Sequence, residues 1–247
     1  MKNITLAIPF YNTSKYFLDC IKYSIDNDFV SEIVVNDDGS TVEEYNNLLS
    51  LVDGIDKIKV FRNAKNFGAF RNKYITVLNC TNEWIYLLDS DNYPFEESYD
   101  IIKKIPDDDN LICYSPQHLF CKHDHVQEYE NISNYDFGYD IIGIEESKKL
   151  ISKDALWFNW FINTGNYVFN KNTYLNFLDE PFKDESLQFL HADTAATFYY
   201  WLKNGGKHKV INGFRHNHRY RADSNWHSCG QNSSRSVKYY ENKILEL

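Results

Sequence analysis

Apolar positions along the first ninety residues switch between two periods. Ile4-Thr5-Leu6-Ala7-Ile8, Ile33-Val34-Val35, Ile58-Lys59-Val60-Phe61 and Trp84-Ile85-Tyr86-Leu87-Leu88 are short, mostly apolar runs bounded by polar turns, the pattern of buried strands, with Pro9 expected to end the first. Between them, Phe17, Cys20, Ile21, Ser24 and Ile25 recur at helical spacing. Ser40 and Glu43 have capping-box spacing, which predicts a helix through about Leu51, and another is expected from Gly68 to about Cys80. Strand and helix alternating with short links predict an α/β domain whose mostly parallel central sheet carries helices on both faces. Ligands of such sheets gather at the carboxyl ends of the strands. Pro9-Phe10-Tyr11-Asn12, Asp37-Asp38-Gly39-Ser40 and Asp89-Ser90-Asp91 fall there, so three polar loops are expected to meet at one edge.

The pattern is less regular afterwards. Leu111 to Tyr114 reads as a strand, and Pro116 to about Lys149 has no clean period and is expected to be a loop-rich excursion over the site. Tyr167-Val168-Phe169 and Lys209-Val210-Ile211 predict short strands. Lys171 to Leu178, Asp193 to Lys203 with a stop at Gly205-Gly206, and an amphipathic Ser234 to Leu247 predict helices.

A length of 247 residues suits one domain. A net charge of −9 argues against a nucleic-acid partner, because no broad basic face would release counterions. Phosphate would have to be met locally, by a metal and a few arginines. No window approaches the length of a membrane span or a signal-peptide core, and five scattered cysteines suit reduced thiols. Together these predict a cytoplasmic chain.

Asp89 and Asp91 follow directly on an apolar strand. Residues two apart on an extended chain project to one side, so both carboxylates can address one hard divalent ion, Mn2+ or Mg2+, and leave positions open for phosphate oxygens. An Asp-rich turn capping the next segment is the plainer reading. The cluster Trp157-Phe158-Asn159-Trp160-Phe161, with Trp201 and Trp226, is either a ring platform with Asn159, Asn163 and Thr164 as polar partners, or mostly core. His216-x-His218 with His227 and Cys229, and Cys121-x-His123-x-His125, lack the paired spacing of a structural zinc site.

Ile8-Pro9-Phe10-Tyr11-Asn12, Val34-Val35-Asn36-Asp37-Asp38-Gly39-Ser40, Asn66-Phe67-Gly68 with Arg71-Asn72, and Leu87-Leu88-Asp89-Ser90-Asp91 resemble, in order and spacing, the donor-site blocks of the family 2 nucleotide-sugar glycosyltransferases. Gly165-Asn166-Tyr167-Val168-Phe169, Leu178-Asp179-Glu180-Pro181-Phe182 and Ala192-Asp193 ahead of Trp201 and Gly205 resemble the acceptor-half blocks more loosely. The resemblance implies the GT-A fold in a single domain, with a nucleotide-sugar half over 1–95, a smaller acceptor half over 96–233 and a terminal helix over 234–247. It also implies a metal-dependent, inverting transfer of a sugar, most simply from a uridine-linked donor, to a glycan or other hydroxyl acceptor. Pro9, Tyr11, Asn12, Asp37, Asp38, Asn66, Arg71 and Asp89 would then border the donor, with Asp38 or Asp37 accepting from base or ribose. Asp91, with Asp89, would hold the ion, closed by His218 or His216, while Arg219 and Arg221 face the diphosphate. Trp160, Asn163 and Thr164 would face the acceptor.

Asp193 would be the general base, its pKa raised by burial beside Phe189, Phe198 and Tyr199, or simply a helix cap. One departure stands out. The acidic pair expected before that helix is Ala192-Asp193 here, so one carboxylate is missing. That loss keeps open a carbohydrate-binding or scaffold protein without turnover. A sugar-phosphate nucleotidyltransferase is disfavoured, since the chain lacks a Gly-rich basic loop.

Overall fold

The computed structural model describes residues 1, 3–123, 130–184, 192–221 and 231–247. The order of elements is β1 (Ile4–Phe10), α1 (Ser14–Ile21), β2 (Val30–Asp37), α2 (Val42–Val52), β3 (Ile58–Arg62), α3 (Ala69–Leu78), β4 (Trp84–Leu87), β5 (Tyr93–Pro94) and α4 (Glu96–Lys103). There follow β6 (Ile112–His123), β7 (Glu130–Asn134), α5 (Ile144–Ser152), α6 (Phe158–Thr164), β8 (Val168–Asn170), α7 (Lys171–Lys183), α8 (Asp193–Lys203), β9 (Lys207–Tyr220) and α9 (Gln231–Glu246).

The described strands form one sheet in the order β3-β2-β1-β4-β8-β6-β9-β5, with β7 paired to β6 over His118–Cys121. β3, β2, β1 and β4 run parallel, β8 is antiparallel to both β4 and β6, and β9 is parallel to β6. Side chains alternate between two cores. Ala7, Val34, Ile85 and Leu87 face a core shared with Phe70, Phe161, Phe198 and Trp201, whereas Leu6, Ile8, Val35, Tyr86 and Leu88 face Phe17, Ile21 and Tyr99. This period of two is why continuous apolar runs are needed: both faces are covered.

Several boundaries differ from the expectation. β1 continues through Pro9 because β4 pairs with it only as far as Ala7, so beyond that point β1 is paired on the β2 side alone and tolerates a proline. Thr41, not Ser40, caps α2 by accepting from the Glu44 N–H at 3.3 Å. Residues 116–149 are not mainly loop: β6 runs to His123, β7 returns beside it, and α5 follows. β9 spans fourteen residues rather than three. Its ladder with β6 joins segments about ninety residues apart, a pairing that local periodicity does not signal. α4 and α6 were likewise not expected.

Trp201 is core, its indole N–H donating to the carbonyls of Leu111 (3.0 Å) and Lys207 (3.2 Å). Gly205 ends α8 with φ of 86°, the left-handed conformation that stops a helix. No helix among the described residues is long and apolar enough to cross a membrane.

Candidate active site

The three polar loops meet at the carboxyl end of the parallel strands. Asn12 donates its N–H to Ser40 Oγ (2.9 Å) and accepts from the Thr41 N–H (3.0 Å), which joins the β1 loop to the β2 loop. The Thr13 and Ser90 hydroxyls lie 2.7 Å apart, which joins the β1 loop to the acidic turn after β4. Tyr11 stands 47% exposed beside this clasp and Pro9 is half-buried.

Asp37 and Asp38 are buried and already engaged. Asp37 accepts from the Ser40 N–H and lies 3.2 Å from Arg62 Nε. Asp38 accepts from Asn63 Nδ2 (2.8 Å) and from the N–H groups of Phe67 and Gly68 (both 2.9 Å), fastening the β3–α3 loop. Gly39 completes that seam: with φ of 72°, a Cβ here would sit 2.8 Å from backbone atoms of Lys65 and Asn66. Asn66 accepts from the Gly68 N–H. Arg71 lies over the Phe182 ring at 5.1 Å and the Phe67 ring at 5.9 Å.

The acidic turn is held from two sides. Asn166, with φ of 66°, accepts the Asp89 N–H at 3.0 Å and places its amide 3.1 Å from His216 Nε2. On the other side, the backbone N–H of Arg219 donates to Asn92 Oδ1 (2.9 Å) and its Nε to the Asp91 carbonyl (3.1 Å). The Arg219 guanidinium also pairs with Asp19 (2.8 Å) and covers Tyr16 at 4.4 Å. Arg221 Nε lies 2.9 Å from Asp91 Oδ2. The end of β9 thus straps the turn, as its pairing with Tyr93 and Pro94 requires.

Lys73, which the sequence reading missed, occupies the centre. Its ammonium lies 3.0 Å from Asp89 Oδ1 and 2.7 Å from Asp193 Oδ2, with only 8% of the side chain exposed. Burial alone would lower its pKa, but Asp193 and Asp89 outweigh that and hold it cationic, well above an ordinary lysine. For Asp89, desolvation pushes the carboxyl up; Lys73 opposes this, and Asp193 and Asp91 push it further up. Three carboxylates therefore share one electrostatic neighbourhood, with Lys73 and Arg221 as internal counterions. No local pattern advertises Lys73, since a lysine in the second turn of a helix reads as a solvated one.

His216 is enclosed beneath the turn, its pKa brought to about 3 by burial and, secondarily, by His218. His218 is partly exposed on the same strand. Among the described residues no three His, Cys, Asp or Glu side chains gather as a metal-ligand set. A hard divalent ion that takes one or two carboxylates and completes its shell with substrate phosphate does not need three. Asp89 and Asp91 fit that limited donor set.

Of the residues expected at an acceptor, Trp160 is 39% exposed and meets the Trp157 ring edge-on at 6.1 Å, while the neighbouring Phe158 and Phe161 are core. Asn163 is partly exposed, and Asn159 accepts from the Trp160 N–H. The Thr164 side chain, Phe189, Trp226, His227, Cys229 and the Cys121-x-His123-x-His125 side chains lie outside the described residues. Ala192 is buried directly before α8.

A parallel half from β1 to β4, an acidic turn after β4 and a mixed half closing over its end define the GT-A class of fold. Residues 5–241 match the family described as Glycosyl transferase family 2, and the chain belongs to that family. A 90-residue stretch is 27% identical to glycosyltransferase GlyG of Streptococcus pneumoniae, covering 36% of this chain and 30% of that protein. The fold is similar to that of S. aureus TarS 1–349 solved with UDP-GlcNAc (TM-score 0.66, 16% identity, 98% of this chain and 66% of that one). It is also similar to GalNAc-T7 solved with UDP, GalNAc and Mn2+ (TM-score 0.63, 18% identity, 90% and 44%). The chain thus spans under two thirds of each of these proteins.

Proposed function

We propose that this chain transfers a sugar from a UDP-linked donor to a hydroxyl of a glycan or similar acceptor, with inversion and with Mn2+ or Mg2+. One observation carries the reading. Lys73 brings Asp89, at the donor-side end of β4, and Asp193, at the start of α8, onto a single ammonium. A site with donor-side and acceptor-side carboxylates at that separation has the parts a displacement at an anomeric carbon needs. The solved relatives that hold UDP or UDP-GlcNAc support the donor class.

In this reading the donor half corresponds to 1–95, the acceptor half to 96–233 and the terminal helix to 234–247. Tyr11 and Pro9 border the base, and the Asn12, Asp37, Asp38, Asn66 and Arg71 loops shape its seat. A divalent ion on Asp91, with Asp89 and His218 or His216 nearby, would supply positive charge where the departing diphosphate gains negative charge. Arg219 and Arg221 bind phosphate oxygens, which requires Arg219 to exchange Asp19, and Arg221 to exchange Asp91, for the donor. Asp193 takes the acceptor hydroxyl's proton as that oxygen attacks, and Trp160, Asn163 and Thr164 orient the acceptor ring. The buried free thiols of Cys20, Cys80 and Cys113 support a cytoplasmic setting.

A panel of nucleotide sugars with Mn2+, scored by nucleoside diphosphate release with and without acceptors, tests the proposal. Acceptor-dependent release from a UDP-sugar is the expected result. The buried Ala192, standing where the family resemblance places an acid, favours a second reading as a glycan-binding protein without turnover. Metal-independent glycan binding with no release from any donor would establish that reading instead.

A further inference from the structure

Lys73 has two carboxylate partners where a buried lysine needs one. They come from opposite halves of the site: Asp89 follows β4, and Asp193 opens α8. Thr194 adds a longer contact from α8, its hydroxyl 3.4 Å from the ammonium.

The base of the lysine is held firmly. Its neighbour Asn72 accepts from Asn36 Nδ2 (2.7 Å) and Asn63 Nδ2 (3.1 Å) and donates to the Asn36 carbonyl (3.1 Å), so the start of α3 is tied to the end of β2. The seat of the ammonium is shaped as well. Gly165, with φ of 70°, lies where a Cβ would come within 3.2 Å of Thr194 Oγ1 and 3.7 Å of Lys73 Nζ. Among the described residues, Asp91 and the buried Tyr167 and Tyr174 are further ionisable groups close to this cluster.

We propose that Lys73 is a positioning residue for the transfer reaction: it fixes the Asp193 carboxylate against the donor-side Asp89, and so sets the distance between base and donor. The proposal rests on the transferase reading above. Without the ammonium, two carboxylates that shared one cation would face each other, and α8 carries no other described basic group at that end to replace it. Repulsion then moves Asp193 outward. A displacement of about 1 Å at a reacting group can cost on the order of 100-fold in rate. UDP binding rests mainly on the β1, β2 and β3 loops and on Asp91; Asp89 is the one donor-side group that Lys73 also holds, so UDP affinity should fall far less than the rate.

The test compares full-length wild type with Lys73→Met and Lys73→Arg. It measures kcat, donor KM and, by calorimetry, the affinity for UDP with Mn2+. Lys73→Met should lose roughly 100-fold in kcat with donor KM and UDP affinity within about 3-fold, and Lys73→Arg, which keeps the charge, should recover about 10-fold of that loss. A kcat within about 3-fold of wild type in Lys73→Met, or UDP affinity falling as far as kcat, would overturn the proposal; the second result would make Lys73 a donor ligand. Should Lys73→Met fail to fold, Lys73→Gln takes its place under the same criteria. If wild type turns over no nucleotide sugar, the transferase reading itself has failed. Crystal structures then judge the clasp alone: Asp89 and Asp193 should stand further apart in Lys73→Gln than in wild type, and an unchanged separation overturns the positioning role.

Discussion

The two halves of this domain are held by different physics. Around β1 to β4 the loops are fastened by side-chain hydrogen bonds, some of them buried: Asn12 with Ser40 and Thr41, Asp38 with Asn63, Phe67 and Gly68, and Asn36 with Asn63, Asn72 and Asn79. From α6 to β9 the structure is packed by rings. Phe198 stacks on His208 at 4.2 Å, Phe169 on Tyr174 at 4.4 Å, and Phe161 meets Phe198 edge-on at 5.7 Å. Polar clasps fix loop atoms individually, which suits a surface that must match a ligand. Ring packing fixes whole elements, which suits a scaffold that presents the start of α8. Lys73 is where the two regimes join.

That contrast can be broken at specific points. Asp91→Ala removes the carboxylate held by Arg221 and should reduce nucleoside diphosphate release to background and abolish metal-dependent donor binding; calorimetry showing unchanged binding would remove the metal role. Asp38→Ala strands the Phe67 N–H and leaves Asn63 Nδ2 and the Gly68 N–H only their second acceptors, Asn72 and Asn66; it should cost about 2 kcal/mol in denaturant unfolding, alongside weaker donor binding. A loss below about 1 kcal/mol would show that the clasp is not what holds the loop.

In the ring-packed half, Gly206→Ala should cost about 2 kcal/mol by overpacking and leave donor affinity alone. Its Cβ would lie 2.4 Å from a Trp201 ring that two carbonyls hold in place. A neutral effect on unfolding would mean the Trp201 seat relaxes freely.

Near neutral pH the smallest effect concerns acid. Burial keeps His208 neutral, its pKa pulled down from 6.5 to about 3. The unfolded chain takes up that proton below about 6.5 and the folded chain does not, so stability falls as pH drops through this window, by about 1.4 kcal/mol per pH unit. His208→Phe should remove its share of that slope and leave the share of His216, which is buried neutral over the same window. An unchanged slope would place the acid sensitivity elsewhere.

The same contrast explains what could be read in the sequence. The strands from Ile4, Ile33, Ile58 and Trp84 announce themselves because each is a short apolar run whose partners lie nearby in sequence, and the polar residues that end them form the site. β6 and β9 pair across about ninety residues and carry polar residues along their length, Ser115, Gln117 and His118 in one and Arg215, His216 and Asn217 in the other, so their extent is set by each other rather than by local pattern. α8 was legible from Asp193 to Lys203 because its buried positions recur at helical spacing and glycines stop it. Asp37, Asp38 and Asp91 stood out by type and place, yet their ion pairs and hydrogen bonds to Arg62, Asn63 and Arg221 arise from loops that only the fold brings together. Lys73 was invisible for a related reason: its role lies in two partners distant in sequence, not in its neighbours.

The central claim is that Asp193, clasped by Lys73 beside the acidic turn, is the base of a sugar-transfer site. Asp193→Asn tests it most directly, with transfer rate and donor affinity measured on the same preparation. The account predicts unchanged affinity for UDP with Mn2+ and transfer slowed at least ~100-fold. Full transfer activity in that variant would contradict it and point to another carboxylate, such as Asp179 or Glu180.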